Sequence, residues 1–148
     1  MTNETEDVER KLALLGKGAR FLNETMQEDI LGEKLLAAAR RGNDEEIEVL
    51  LGQGADINYA DPRTNATALH FAASSNAKWA IKALIKAPEL DYLVRDHKGR
   101  FPSALAFEIA HNTVIGRFLM KKEIQQSRLR GKDYRAMLLG EDRPEPDP

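Results

Sequence analysis

The chain has 148 residues, a formal net charge of −2, 42% hydrophobic and 31% charged residues, and no cysteine. That size and balance describe one folded, soluble domain. The near-neutral charge gives no general pull toward nucleic acid or an anionic membrane, and the missing cysteines exclude disulfides and thiolate metal sites. The acidic start Met1-Thr2-Asn3-Glu4 lacks the basic segment and apolar run of a secretory signal, and no apolar run nears the roughly 20 residues of a membrane span. A cytoplasmic protein is expected, or one exported by a route that leaves no N-terminal signal.

Residues 1–32 read as an N-terminal helical cap. Asn3 followed by Glu6 has the form of a capping box, Val8, Leu12 and Leu15 make one apolar face, and Gly16 and Gly18 end that helix. Phe21, Leu22, Met26 and Ile30 predict a second helical stretch. A helix over 34–41 follows, rich in alanine and broken at Gly42-Asn43-Asp44. Glu45 to Gly52 is the next, with Gly54 placed for a left-handed turn after it. Asp61-Pro62-Arg63-Thr64-Asn65 is dense in turn formers, and Thr67 stands where a helix cap is needed. Helices over 68–75 and 78–87 come next, the second stopped by Pro88. Another turn falls at Asp96-His97-Lys98-Gly99-Arg100, and Pro102 takes the first helical position, where its missing N–H costs nothing. Residues 121–139 predict a basic C-terminal capping helix, with Gly131 as its breaking point and Leu129, Tyr134 and Leu138 to dock it. Residues 140–148, acidic and rich in proline, predict a disordered tail.

These elements repeat at a spacing of 34 residues. Leu35-Leu36-Ala37-Ala38-Ala39 is echoed by Leu69-His70-Phe71-Ala72-Ala73. Ile47, Leu50 and Leu51 are echoed by Ile81, Leu84 and Ile85, then by Ile115, Phe118 and Leu119, all expected on buried faces. In the third copy Ser103 stands at the Leu35/Leu69 position, with Leu105 to compensate. A fixed period of this length signals a stacked array of supersecondary units, and such arrays present surfaces to partners.

Thr67-Ala68-Leu69-His70-Phe71-Ala72-Ala73 resembles the Thr-Pro-Leu-His-x-Ala-Ala signature of ankyrin repeats. Gly42 to Leu51, followed by Gly54-Ala55-Asp56-Ile57-Asn58, resembles the second half of that motif, and Asp96-x-x-Gly99-Arg100-x-Pro102 resembles its opening turn. The resemblance covers residues 33–120, about three repeats. It implies an all-α fold: an ankyrin-repeat solenoid of helix-turn-helix units with short hairpin-like loops and helical caps at both ends. It further implies that His70 bonds backbone of adjoining loops. The sequence departs from the pattern where Ala68 replaces proline and where Ala87-Pro88-Glu89-Leu90-Asp91 replaces Gly-Ala-Asp, so a distorted hairpin is expected near 88–96.

Ankyrin proteins bind partners through turn tips and the inward face of each first helix. By resemblance this selects Arg40, Arg41, Tyr59, Arg63, Thr64, Ala66, Ser74, Ser75, His97, Lys98, Arg100, Glu108 and Ile109. Five of these are cations, which favours a protein partner with an acidic surface. Trp79, the single tryptophan, falls at a solvent-facing position, either as a binding hot spot or laid over its neighbours. His70, His97 and His111 have no ligand-like spacing, no phosphate loop occurs, and the carboxylates are scattered. No catalysis, metal, cofactor or small-molecule substrate is therefore expected. The expected function is a non-enzymatic protein-binding module, acting as adaptor or inhibitor. One variant is an immunity-type protein that covers the active site of a cognate enzyme or toxin. The rival reading is a nucleic-acid-associated factor using the basic helix.

Overall fold

In a computed structural model of the chain, residues 18–142 are described, with side chains from residue 24 onward. Among these residues there are seven helices and no strand: α1 (Gly18–Arg41), α2 (Asp44–Gly52), α3 (Ala68–Ser74), α4 (Lys78–Ile85), α5 (Pro102–Glu108), α6 (Thr113–Leu129) and α7 (Tyr134–Leu139). The helix expected on Val8, Leu12 and Leu15 lies outside the described residues, as do residues 143–148 of the expected tail.

Helices α1, α3 and α5 stack side by side as one layer, and each pairs with the following helix, α2, α4 or α6, which form the second. The close approach rests on alanine: Ala38, Ala39, Ala72, Ala73 and Ala106 are fully buried. Leu35, Leu69, Ile47, Leu84 and Leu119 are buried around them, each contributing about 1.5–3 kcal/mol of apolar burial. The turns follow the sequence signals. Asn43 caps α2 by accepting the Glu46 N–H at 3.2 Å, Gly54 has φ +96° after α2, and Pro102 opens α5.

Four features differ from the expected elements. First, α1 is one helix, with no break between the stretch holding Met26 and Ile30 and the helix expected from residue 34. Gly32 does not interrupt it, because an interior glycine costs only about 1 kcal/mol. Its missing side chain has a packing role: a Cβ at residue 32 would overlap the Tyr59 ring. Gly32→Val is therefore expected to expel that ring and cost about 1–3 kcal/mol, seen as a lower thermal midpoint; an unchanged midpoint would show that Tyr59 is not held there.

Second, the third unit slips by one residue. The second-layer helices begin at residues 44, 78 and 113, so the turn at 109–112 carries one residue more than its counterpart at 75–77. One residue turns a helix by about 100°. Ile115 and Phe118, expected on the buried face, are accordingly half-buried and 39% exposed. Leu119 is buried as expected, and Gly116 and Glu123 turn inward with it. Phe107, which stands where α3 has Ala73, takes the space beside Gly116, where a Cβ would lie 2.7 Å from its ring.

Third, residues 88–96 form no hairpin. The amide of Asn58 donates to the Glu89 carbonyl at 2.8 Å and accepts the Asp91 N–H at 2.7 Å. Gln126 does the same from the other side, accepting the Tyr92 N–H at 2.7 Å and donating to the Leu90 carbonyl at 2.9 Å. Two side-chain amides thus satisfy backbone that a strand partner would otherwise satisfy.

Fourth, the basic segment breaks around Gly131, as expected, but its two pieces pack differently from the expectation. Its first part continues α6 from the third unit to Leu129, and α7 begins only at Tyr134. Leu129 and Leu138, expected to dock it, are 88% and 55% exposed. Met137 is buried in their stead, and Tyr134 stacks on Phe101 at 5.7 Å between ring centroids. Residues 140–142 are tied back: Glu141 N–H donates to the Ala136 carbonyl at 2.9 Å, and Arg95 pairs with Asp142 at 2.8 Å. Ser103 is buried at the leucine position, its hydroxyl donating to Glu123 Oε1 at 2.5 Å.

Candidate functional site

The turn at 61–66 is held by its own backbone. Asp61 N–H donates to the Ala66 carbonyl at 2.9 Å and Asn65 N–H to the Asp61 carbonyl at 2.7 Å, while Asp61 Oδ1 accepts the Arg63 N–H at 2.9 Å. Asn65 sits at φ +55°, a conformation asparagine tolerates better than most residues. The tip then stacks on the next one. Asn65 donates to the Arg95 carbonyl at 2.7 Å, and the Thr64 carbonyl accepts the His97 N–H at 2.7 Å and faces His97 Nδ1 at 3.2 Å.

The second tip is built around Asp96. Its Oδ1 accepts the N–H groups of Lys98 and Arg100 at 3.0 and 2.8 Å, and its Oδ2 meets the Arg100 guanidinium at 2.9 Å. Desolvation works to raise the Asp96 carboxyl, but the hydrogen bonds and charge of Arg100 hold it below its usual value. Behind it, His70 is fully buried. Its Nδ1 accepts the Thr67 N–H at 3.1 Å, and its Nε2 donates to the Arg100 carbonyl at 3.0 Å. Desolvation lowers its pKa, which keeps the neutral tautomer that this pair of bonds requires.

Between α1 and the first tip lies an open groove of about 430 Å³, lined by Glu33, Leu36, Ala37, Arg40, Asp61, Pro62 and Arg63. The Arg40 guanidinium lies 4.6 Å over the Phe71 ring. Tyr59 continues this face through its packing on Gly32. Desolvation, then Asp29, Glu33 and Asp61, raise its phenol pKa, so carboxylates as well as arginines border the groove.

Apart from Ile109, exposed at the end of α5, and two residues named below, the residues selected from the sequence fall into three groups. Arg40, Arg63 and Tyr59 share the groove face. Arg41, Ser75 and Trp79 meet at the opposite end of the helices, around a hollow of about 440 Å³ that Arg40 also borders. His97, Lys98, Arg100 and Glu108 gather at and behind the second tip, with Thr64 joined to them by its carbonyl. Two residues are less available than the others. Ala66 is buried, because it closes the first turn, and half-buried Ser74 donates its hydroxyl to the Phe71 carbonyl at 3.0 Å. Trp79 is 62% exposed and lies on the second layer, with Lys82 Nζ 4.7 Å over its ring. The positive charge is also partly spent within the fold. Arg41 pairs with Glu46 at 2.6 Å, and Arg100 with Asp96 at 2.9 Å and Glu108 at 3.8 Å. Among the described residues Arg40, Arg63 and Lys98 make no such pair. Glu33, Leu36 and Ala37 were not selected from the sequence, although with Arg40 they follow the i, i+3, i+4, i+7 stripe of one helix face.

A two-layer helical solenoid with stacked turn tips is the class of protein this geometry defines. A family model described as ankyrin repeats (3 copies) matches residues 11–96, more than half of the chain. The chain belongs to the ankyrin-repeat family, whose members generally mediate protein–protein interaction. The match begins ahead of residue 33, where the sequence reading placed the first unit, and ends at the turn that opens the third. Comparison with curated proteins returns no match. No helix among the described residues is long and apolar enough to cross a membrane.

Proposed function

We propose that this protein binds an acidic surface of a partner protein through the face formed by α1, α3 and the two turn tips, and acts by occupying that partner as an adaptor or inhibitor. The observation that carries the reading is the open groove at Arg40 and Arg63 on a rigid stack. Its arginines are free of ion pairs among the described residues, and Lys98 extends the same charge to the second tip. Glu33 and Asp61 set the pattern of charge the partner must match, which favours specificity over indiscriminate attraction. An immunity-type role is one form of this activity, with the partner's active site as the covered surface.

The test is an affinity capture with the full chain and with a variant carrying Arg40→Glu, Arg63→Glu and Lys98→Glu, followed by measurement on the captured partner at low and high salt. Reversing three exposed charges is expected to weaken binding at least tenfold and to abolish its salt dependence, with the thermal midpoint nearly unchanged. Binding that ignores both salt and the substitutions would sink the reading.

A further inference from the structure

The one-residue slip in the third unit opens a second surface. Helices α2 and α4 pack against each other, but α4 and α6 do not close in the same way. Between them runs a groove of about 260 Å³ lined by Lys78, Ile81, Lys82, Ile85, Val114, Ile115 and Phe118. Its walls are apolar, and the turned-out side chains supply them: Val114 is 76% and Phe118 39% exposed. Trp79, 62% exposed on α4, is not part of this lining and borders the hollow at Arg41 and Ser75 instead.

The rim has a single sign. Apart from buried Glu123, every charged side chain of α4 and α6 is a cation: Lys78, Lys82, Arg117, Lys121, Lys122 and Arg128. Lys82 lies over the Trp79 ring and Lys122 over the Phe118 ring, at 4.7 and 5.8 Å, so the ammonium groups border the apolar surface directly. The acidic side chains of this layer sit one helix away, on α2, at Asp44, Glu45, Glu46 and Glu48.

We propose that the α4–α6 groove is a second docking site, separate from the turn-tip face, and that it receives an amphipathic helix of a partner protein whose apolar stripe is flanked by carboxylates. The groove between two helices matches a ridge of side chains on a third. The lysines and arginines along it require acidic flanks and reject basic ones. A flat anionic bilayer fits less well, because it cannot fill a groove and would meet the α2 carboxylates in the same layer.

Two designed helical peptides without tryptophan test this, both with one leucine stripe and flanked either by glutamate or by lysine. Each is titrated into the full chain by calorimetry. The glutamate peptide is expected to bind saturably, more weakly at high salt, and the lysine peptide not to bind. Val114→Glu with Phe118→Ser should weaken the glutamate peptide at least tenfold without changing the thermal midpoint. Arg63→Glu, on the turn-tip face, should leave it unaffected, which separates failure here from failure of the first site. Lys78→Glu with Lys82→Glu should move the preference toward the lysine peptide. The proposal is overturned if neither peptide binds, if both bind equally, or if the groove substitutions leave binding intact. It is equally overturned if the chain instead forms dimers that Val114→Glu dissolves, or binds phosphatidylserine vesicles through this groove in preference to the peptide.

Discussion

Replacing His70 with alanine is expected to remove about 3–5 kcal/mol of stability. The imidazole is fully buried and serves two backbone groups that belong to different units, the Thr67 N–H and the Arg100 carbonyl. Alanine leaves a cavity and two unsatisfied polar groups, in a place without room for a neighbour to relax. The loss is measured by denaturant unfolding. Amide exchange should show the 96–100 turn opening before the stack does, because the lost bond to Arg100 holds that turn to α3. Asparagine is the informative control, since its amide can reach one of the two partners and should recover part of the loss. A loss below about 1 kcal/mol would mean that the hydrogen bonds are replaced by water.

The second large effect is a dependence on pH set by Glu123. Its carboxyl is fully buried between α5, α6 and α7, with the Ser103 hydroxyl at 2.5 Å and the Tyr134 hydroxyl at 3.4 Å, and no cation among the described residues pairs with it. Desolvation pushes its pKa up from 4.5 to about 7, against the hydrogen bonds from Ser103 and Tyr134 that lower it. Because the folded value lies above the unfolded one, the proton is bound more tightly in the folded state. The stabilisation is fully present below pH 4.5 and is lost as the pH rises through about 7. A shift of that size corresponds to about 3 kcal/mol.

His70 acts in the opposite direction over part of this window. Its lowered pKa gives a contribution that grows as the pH rises toward 6.5, so the wild-type profile alone is a sum of two trends. Glu123→Gln separates them, because glutamine keeps hydrogen-bonding capacity and does not titrate. The difference in unfolding free energy between variant and wild type is expected to move in favour of the variant by about 3 kcal/mol from pH 4.5 to pH 8. Parallel profiles across that range would show that the Glu123 carboxyl is not buried as described.

The repeat itself was legible because its signals are local. Gly54, Thr67, His70 and Pro102 each mark a turn or helix start by backbone chemistry that neighbouring residues fix, and Leu35, Leu69, Ile47 and Leu84 mark buried faces by period. The slip at 109–112 was not legible, because Ile115 and Phe118 continue the 34-residue spacing in letters while the longer turn rotates them outward. Gly116 and Phe107, the pair that accommodates the rotation, give no sign of each other in the sequence. The same holds for Asn58 and Gln126, whose amides replace the expected hairpin. At the candidate site the chain order revealed cations but not their neighbours. Arg41 and Arg100 were read as available charge, whereas Glu46, Asp96 and Glu108 engage them. Ala66 was read as a tip residue, whereas the turn folds it inside.

The extra residue at 109–112 also breaks the regularity of the array. Head-to-tail growth of a repeat protein needs the same screw operation to carry each unit onto the next, and repeated without closure that operation builds a fibre. Here the operation that carries α3–α4 onto α5–α6 differs from the one before it, because the turn between α5 and α6 is one residue longer than that between α3 and α4. Regularity is therefore broken at the third unit, and the surface that α5 and α6 present is not a copy of the one that α3 and α4 present.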